Sequence, residues 1–389
     1  MSVSSPAVAW PLVNLAEAAT VLSPRPGVVG SWDREGRLLT LVSDGLTFKR
    51  ALDSSVKARW VENGERRRQD LTPEEGARVF EQARAVALDA QAALPPGREG
   101  REAQARLETE ILPWTPERLA GEGPRFRAAY PHPIAILPPD SYADVVLQAT
   151  HGCTWNKCTF CNFYQGTGFH ALNPDEFTRH AERVQALLGR GANLRQGLFL
   201  ADGNALALSY DRLEPILQTA RAAFPNRPVR AFLDVLTGDR HAQPDWPRLA
   251  ALGLDRVHIG LETGHDELLA FLNKPGSAES ATRVVTALKA AGLSVTLIVM
   301  VGVGGREWQA RHRAATLQVL TAMPLDARDL VYLSPFQEHG ESRYTLERQQ
   351  AGLTPMTGPE VETELKALTT ELKRRGRRAA RYDIREFIY

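Results

Sequence analysis

The second half of the chain alternates between short apolar runs and longer segments in which apolar residues recur every three or four positions. Near-continuous apolar runs are typical of strands buried on both faces, and the recurring pattern is typical of amphipathic helices. We predict strands at 143–150, 195–201, 228–234, 255–261, 294–301 and 328–334. We predict helices between them at 174–189, 210–223, 245–252, 277–291 and 306–322. This alternation indicates parallel βαβ units with right-handed crossovers.

Polar residues interrupt one face of these predicted strands, mostly towards their carboxyl ends. Side chains at alternate positions of a strand point to the same face. That face carries Gln148, Thr150, Asp202, Arg230, Asp234, His258, Glu262, Tyr332 and Ser334. Because charges buried against helices would be costly, the polar face predicts a cavity. We therefore expect an α/β chain whose main part is a partial (β/α)6 TIM-like barrel with its site at the strand ends. The alternative is a closed core in which these groups satisfy one another, with Arg230 and Glu262 as an ion pair.

The region 1–94 has a different pattern, with short alternating runs separated by turn residues. Strands are predicted at 28–32, 37–43, 46–51 and 57–62. Asp44-Gly45 and Asn63-Gly64 are typical hairpin turns. Thr72-Pro-Glu-Glu75 forms a capping box, which predicts a helix that runs to about Leu94. We expect a small α+β domain that serves as a lid, a substrate-recognition module or a partner-recognition module.

Two further regions flank the predicted barrel at 141–345. The region 95–140 is rich in proline and glycine, so we expect a connector with a short helix at about 101–111. The region 346–389 is predicted to be a helical extension, with a helix that begins near Gly358 and ends in the basic run 373–378. These cations are expected on a solvated helix face near its carboxyl end. The alternative is that they contact RNA phosphates.

Composition and charge narrow the class of protein. The chain has 389 residues, 43% of them hydrophobic and 24% charged, which is typical of a globular protein. A net charge of +1 gives no general attraction to nucleic acid or to an anionic membrane. No apolar run approaches the roughly 20 residues that a membrane helix needs. The first twenty residues lack a basic leader, so we expect a cytoplasmic protein.

The three cysteines of the chain, Cys153, Cys158 and Cys161, lie within nine positions, directly after the first predicted strand of the barrel. Thiolates are soft ligands that suit zinc or iron–sulfur clusters, and both normally have four donors. One possibility is that His151 or His170 completes a closed zinc site. The other is that one metal position is left to a ligand that is not protein.

The spacing Cys-x4-Cys-x2-Cys, with Phe160 directly before the last cysteine, resembles the signature loop of radical S-adenosylmethionine enzymes. The usual spacing in that superfamily is Cys-x3-Cys-x2-Cys, so this chain has one additional residue in the first gap. The resemblance implies that the cysteines bind three irons of a [4Fe–4S] cluster. It also implies that the amino and carboxylate groups of S-adenosylmethionine chelate the fourth iron.

Three strand ends extend the resemblance. The segment Leu198-Phe-Leu-Ala-Asp-Gly-Asn204 is similar to the Gly-Gly-Glu-like motif that contacts the methionine amino group, although Asp-Gly-Asn would also form an Asx turn unaided. The segment His258-Ile-Gly-Leu-Glu-Thr-Gly264 resembles the fourth strand of the branch that includes oxygen-independent coproporphyrinogen III oxidase. Gly302 and Ser334 fall where the superfamily contacts adenine. Implied cofactor-binding residues are Phe160, Asp202, Gly203, Asn204, Glu262, Gly302 and Ser334. The candidate catalytic residues are Glu262, Asp234 and His258.

The activity implied by the resemblance is reductive cleavage of S-adenosylmethionine to a 5′-deoxyadenosyl radical, which abstracts hydrogen from a substrate. The substrate, a small molecule or RNA, is not indicated by the sequence. Reduced flavodoxin or ferredoxin is the implied electron donor. Two other function classes stay open: an iron–sulfur electron-transfer protein and a zinc-stabilised binding module.

Overall fold

The computed structural model describes residues 11–241, 245–340 and 342–389, and the chain divides into two compact units. The N-terminal unit is formed by the chain up to Pro131 together with Arg183–Arg195 and Ile388–Tyr389. The barrel unit is formed by His132–Glu182 and Gln196–Phe387. The N-terminal unit is therefore assembled from three separate stretches of sequence.

The N-terminal unit contains a seven-stranded antiparallel sheet in which the strands follow chain order. Its strands are β1 (Leu12–Leu15), β2 (Ala19–Arg25), β3 (Val28–Asp33), β4 (Leu38–Ser43), β5 (Leu46–Arg50), β6 (Val56–Glu62) and β7 (Glu65–Asp70). The four predicted strands are confirmed as β3 to β6. Both predicted hairpin turns form with φ values between 51° and 79°, the left-handed region that Asn, Asp and Gly adopt most readily.

One long helix, α1 (Pro73–Ala92), packs its apolar face on this sheet. It begins with the predicted capping box, in which Thr72 and Glu75 bond to each other's backbone amides. The predicted connector is more helical than expected, with α2 (Arg98–Arg106), a π-helical turn (Leu107–Ile111), α3 (Pro116–Ala120) and α4 (Glu122–Ala129). Pro116 and Pro124 do not prevent these helices because each lies in a first turn, where a missing amide proton costs little.

The barrel unit contains a seven-stranded parallel sheet in the order β16-β15-β14-β13-β12-β11-β8. Its strands are β8 (Asp144–Gln148), β11 (Gly197–Ala201), β12 (Val229–Leu233), β13 (Leu254–Glu262), β14 (Ser294–Val301), β15 (Leu330–Pro335) and β16 (Ala379–Arg381). A separate antiparallel pair is formed by β9 (Thr150–His151) and β10 (His170–Ala171). The six predicted strands are confirmed in parallel order, and β16 adds a seventh.

Helices alternate with these strands. They are α5 (Pro174–Leu188), α6 (Tyr210–Ala223), α7 (Val235–Arg240), α8 (Asp245–Ala251), α9 (Asp266–Phe271), α10 (Ala278–Ala290), α11 (Gly305–Ala322), α12 (Arg343–Gln350) and α13 (Gly358–Arg374). The five helices predicted between the strands are confirmed as α5, α6, α8, α10 and α11, and the helix predicted near Gly358 is confirmed as α13, whereas α7, α9 and α12 were not predicted. Within the described residues, no helix has the length and apolar character needed to cross a membrane.

One arginine of the basic run at the end of α13 forms hydrogen bonds within the barrel unit. Arg377 donates hydrogen bonds to the carbonyl oxygens of Thr321, Met323 and Leu325, where α11 ends. Carbonyl groups at a helix carboxyl end lack helical partners, and a cation there also interacts favourably with the helix dipole. These contacts give Arg377 a structural role at a helix terminus.

Candidate functional site

A cavity opens at the carboxyl ends of the parallel strands, and all three cysteines line it. Five other predicted site residues also line it: Phe160, Gly203, Asp234, Glu262 and Ser334. These residues come from the loops or ends that follow β9, β11, β12, β13 and β15. Carboxyl ends of parallel strands meet at one edge of a sheet, which explains how residues so distant in sequence converge.

The cysteine thiols are half-buried. Burial raises the pKa of the Cys158 thiol to about 12, and burial also raises the pKa of Cys161. Within the described residues, no group of three or more His, Cys, Asp and Glu side chains gathers on a single-ion position. Three thiols arranged around one cavity fit a cluster, in which each thiolate has its own iron, and they leave one iron for another ligand.

Glu262 forms an ion pair with Lys274, with 3.0 Å between Oε1 and Nζ, and both side chains line the cavity. Burial lowers the pKa of Lys274, but the acidic groups around it, Glu262 foremost, together outweigh burial, so the net pKa is raised. The sequence-based alternative of a Glu262–Arg230 pair is wrong. Arg230 lies near the amino end of β12, where its guanidinium bonds to Asp144 at the amino end of β8, two strands away in the sheet. Lys274 was missed, although it follows α9 in the same segment that carries Glu262.

Asp234 lines the cavity but its carboxylate is already heavily hydrogen-bonded. It caps α7 by accepting from the Thr237 amide at 2.8 Å and from the Thr237 hydroxyl at 2.6 Å. The Asn204 side-chain amide donates to the same carboxylate and to Thr154 Oγ1, at 3.1 Å in the second case. Asn204 is fully buried and does not line the cavity. Asp234 and Asn204 therefore connect two strand ends to the cysteine loop.

Asp202 lies behind the cavity lining, where it is 4% exposed. Its carboxyl group accepts a hydrogen bond from the Tyr164 hydroxyl at 2.9 Å, and Tyr164 itself lines the cavity. Burial raises the pKa of Asp202 to about 7, against the opposing effect of the Tyr164 hydrogen bond. A Cβ on the neighbouring Gly203 would meet the Tyr164 ring at 2.7 Å, so the close approach requires glycine. Tyr164 is a second residue that the sequence did not single out.

His258 and Gly302 do not line the cavity. His258 is fully buried between Phe199 and Phe232, and neither ring nitrogen has a hydrogen-bond partner among the described residues. Burial lowers the pKa of His258 to about 4, so the imidazole is neutral at pH 7. Gly302 adopts φ 95° directly after β14. The structure does not bring these two predicted site residues to the cysteines.

The two histidines considered as zinc ligands lie in a ring stack. The His151 ring centroid is 3.9 Å from that of His132 and 6.0 Å from that of His170. Neither His151 nor His170 lines the cavity with the cysteines.

Residues 147–317 match the family model of the radical SAM superfamily. No curated protein matches the chain. Similar solved structures include coproporphyrinogen III oxidase (HemN) from Escherichia coli, with 13% identity and a TM-score of 0.46 over 64% of this chain and 56% of that one. The methyltransferase TsrM from Kitasatospora setae has 16% identity and a TM-score of 0.42, over 55% of this chain and 41% of that one. Elp3 from Methanocaldococcus infernus has 13% identity and a TM-score of 0.43, over 61% of this chain and 56% of that one.

This chain thus spans about half of the length of these solved structures. With TM-scores below 0.5, these likenesses do not bear on its activity or substrate. The family match takes in the three cysteines and the strand ends that carry Gly203, Asp234 and Glu262. Residues 147–317 are thus a radical S-adenosylmethionine domain, the domain of a superfamily of enzymes whose cofactors are a [4Fe–4S] cluster and S-adenosylmethionine.

Proposed function

We propose that this chain cleaves S-adenosylmethionine reductively at a [4Fe–4S] cluster and uses the resulting radical to abstract hydrogen from a substrate. The observation that carries the proposal is that Cys153, Cys158 and Cys161 line the same cavity as the Glu262–Lys274 pair. Three thiols supply three of the four iron ligands of such a cluster. The cavity beside them offers charged groups of both signs to the ligand that completes it.

The residues of the cavity suit the parts of S-adenosylmethionine. The Lys274 ammonium is opposite in charge to the methionine carboxylate, and the Asp234 and Glu262 carboxylates accept hydrogen bonds from an ammonium or a hydroxyl group. Gly203 lets backbone come close, and the Ser334 hydroxyl donates or accepts at the end of β15.

The rest of the cavity wall protects a reactive species. Its lining is mainly apolar and includes Phe160, Phe232, Ile298, Met300 and Phe336. Apolar walls exclude water, and exclusion of water limits side reactions of reactive intermediates. When bound, the reduced cluster would supply one electron to the sulfonium of S-adenosylmethionine, and a carbon–sulfur bond of that cofactor would break to give methionine and a 5′-deoxyadenosyl radical.

Radical SAM enzymes generally need an external electron donor. For this chain we propose reduced flavodoxin or ferredoxin, because a low-potential donor is required to reduce such a cluster. The substrate stays open, and a cytoplasmic location stays a prediction from the sequence.

Anaerobic reconstitution of the full chain with iron and sulfide tests the proposal. After addition of S-adenosylmethionine and dithionite, we expect 5′-deoxyadenosine and methionine, measured by liquid chromatography and mass spectrometry. Cys158→Ala should abolish both the brown colour and the product, because only two thiol ligands remain. A coloured protein that yields no 5′-deoxyadenosine would indicate an electron carrier. A colourless protein that holds zinc would indicate a binding module.

A further inference from the structure

The peptide groups on both sides of Cys158 are bonded to one short segment after α9. The Asn273 side-chain amide donates to the carbonyl oxygen of Lys157 at 2.7 Å. The amide of Thr159 donates to the carbonyl oxygen of Leu272 at 3.0 Å. Residues 272 and 273 thus hold the backbone immediately before and immediately after this cysteine.

Asn273 makes a second contact with the same loop. Its backbone carbonyl oxygen accepts a hydrogen bond from Trp155 Nε1 at 2.8 Å. Trp155 and Lys157 both lie in the four-residue gap between Cys153 and Cys158, which is one residue longer than the usual gap. One asparagine therefore fixes two of the four gap residues, through its side chain and through its backbone.

The next residue along the chain carries the cavity's cation. Lys274 follows Asn273 directly, and its ammonium pairs with Glu262 at 3.0 Å. Only 13% of the Lys274 side chain and 10% of the Glu262 side chain are exposed, so this pair has little freedom to move. A displacement of residue 273 would shift the cysteine loop and the cation together.

The backbone of Asn273 favours this residue type. Its φ of 50° lies in the left-handed region, which Asn and Asp adopt more readily than most other residues with a side chain. Glycine would adopt the same backbone conformation but has no side-chain amide to donate a hydrogen bond. Asparagine supplies the conformation and the hydrogen bond at once.

We propose that Asn273 is a positioning residue that fixes Cys158 relative to the Glu262–Lys274 pair, and so couples the geometry of the cluster to the binding of S-adenosylmethionine. This inference rests on the proposed function. Asn273 itself does not line the cavity. It therefore acts through the cysteine loop, which it holds, and through Lys274, which follows it, rather than by contact with the cofactor.

The test compares the full-length wild-type chain with Asn273→Asp and Asn273→Gly after anaerobic reconstitution. Asn273→Asp keeps the shape and the left-handed backbone but places an acceptor against the Lys157 carbonyl oxygen. Asn273→Gly keeps the backbone and the Trp155 contact and loses only the side-chain bond. We measure iron content, the Kd of S-adenosylmethionine by calorimetry, and the electron paramagnetic resonance spectrum of the reduced cluster with and without S-adenosylmethionine.

We expect both variants to bind S-adenosylmethionine more weakly in the cluster-loaded fraction. For Asn273→Asp the Kd should rise about tenfold, which corresponds to about 1.4 kcal/mol, and for Asn273→Gly it should rise less. The spectral change on addition of S-adenosylmethionine should be altered in both. Asn226→Asp is the matched control, since Asn226 also has a left-handed backbone, with φ 61°, on an exposed turn away from the cavity. It should behave as the wild type.

The inference is overturned if the loaded Asn273 variants bind S-adenosylmethionine with wild-type Kd and an unchanged spectral response, even where their iron content is lower. Should Asn273→Asp fail to fold, Asn273→Gly decides the matter alone. A wild-type chain that takes up no iron and sulfide would remove the proposed function, and this inference with it.

Discussion

The Asp202 carboxyl group lies behind the cavity wall, where burial raises its pKa to about 7. The ordinary pKa of an aspartate is about 3.9. Between these two values an unfolded chain releases the proton while the folded chain keeps it, so the free energy of unfolding falls as pH rises through this window. Above about pH 7 the carboxyl group is ionised in both the folded and the unfolded chain, so its effect on the free energy of unfolding no longer changes with pH.

Replacement of Asp202 by asparagine should remove this pH dependence. Asparagine can still accept from the Tyr164 hydroxyl but carries no charge, so we expect the variant to be more stable than the wild type by on the order of 3 kcal/mol at pH 8. At pH 4 the two should be about equally stable. Urea unfolding of the cluster-free chain at several pH values measures the difference. A difference that stays constant between pH 4 and pH 8 would show that the carboxyl group is not protonated in the folded chain.

Single residues could be predicted from the sequence where chemistry marks them. The three cysteines are marked by their spacing, and Glu262 by its place at a strand end. Lys274 and Asn273 are not marked, because their importance comes from contacts with residues more than ten positions away. The sequence predicts Asp202 as a cofactor contact but does not predict its hydrogen bond with Tyr164, which depends on the turn after β11.

Gly264 shows how closely two elements of the barrel unit pack. It follows β13, and a Cβ added to it would lie 2.7 Å from the Ala315 carbonyl oxygen and 2.8 Å from the Thr316 Cα, both in α11. These contacts are with backbone atoms, which cannot rotate away. The Gly264 amide also donates to the Thr316 hydroxyl at 3.0 Å.

Gly264→Ala should therefore destabilise the chain, because α11 has to move away from the end of β13. We expect a loss of about 2 kcal/mol, a typical cost of overpacking, measured by urea unfolding. Gly358→Ala is the control, since a Cβ at that position meets no atom within 4 Å. The control should be as stable as the wild type or slightly more so. Equal stability of all three proteins would mean that α11 is free to shift.

At the scale of elements, hydrophobic periodicity was enough to predict the strands β8 and β11 to β15 and five of the helices between them, but not the six-residue helices α7 and α9. It could not predict β7, whose residues Glu65 to Asp70 are all charged or polar and nearly all exposed. It could not predict β16 either, since a three-residue strand beside a basic run has no recognisable period. Both strands form because a neighbouring strand offers hydrogen-bond partners to their backbone. The pattern of apolar residues gives no information about such pairing.

On the scale of the molecule, Arg37 joins two of the three stretches that form the N-terminal unit. Its guanidinium, 2% exposed, pairs with Asp33 at 2.9 Å and with Glu122 at 3.3 Å. It also donates to the carbonyl oxygens of Leu187 and Leu188, at 2.7 and 2.8 Å. The predicted domain 1–94 contains Asp33 but not Glu122, Leu187 or Leu188. A sequence read in order gives no sign that 183–195 returns to the same unit.

Arg37→Met should cost about 3 kcal/mol or more, since it leaves the buried Asp33 carboxylate without its cation and the buried Glu122 carboxylate with Arg125 alone. Arg25→Met is the control, because the Arg25–Asp89 pair is more than half exposed and such pairs contribute about 0 to 1 kcal/mol. The two variants are compared by urea unfolding followed by circular dichroism. Similar losses in both would show that the buried pair is no more important than the surface pair.

The outermost strand β7 has a consequence for handling the protein. It carries three consecutive arginines, Arg66 to Arg68, on the open side of an antiparallel sheet. A strand in this place is a template on which another molecule could add its own strand, and charged side chains oppose that addition. Concentrated samples should therefore resist fibril formation, and exchange of these arginines for valine or threonine should promote it.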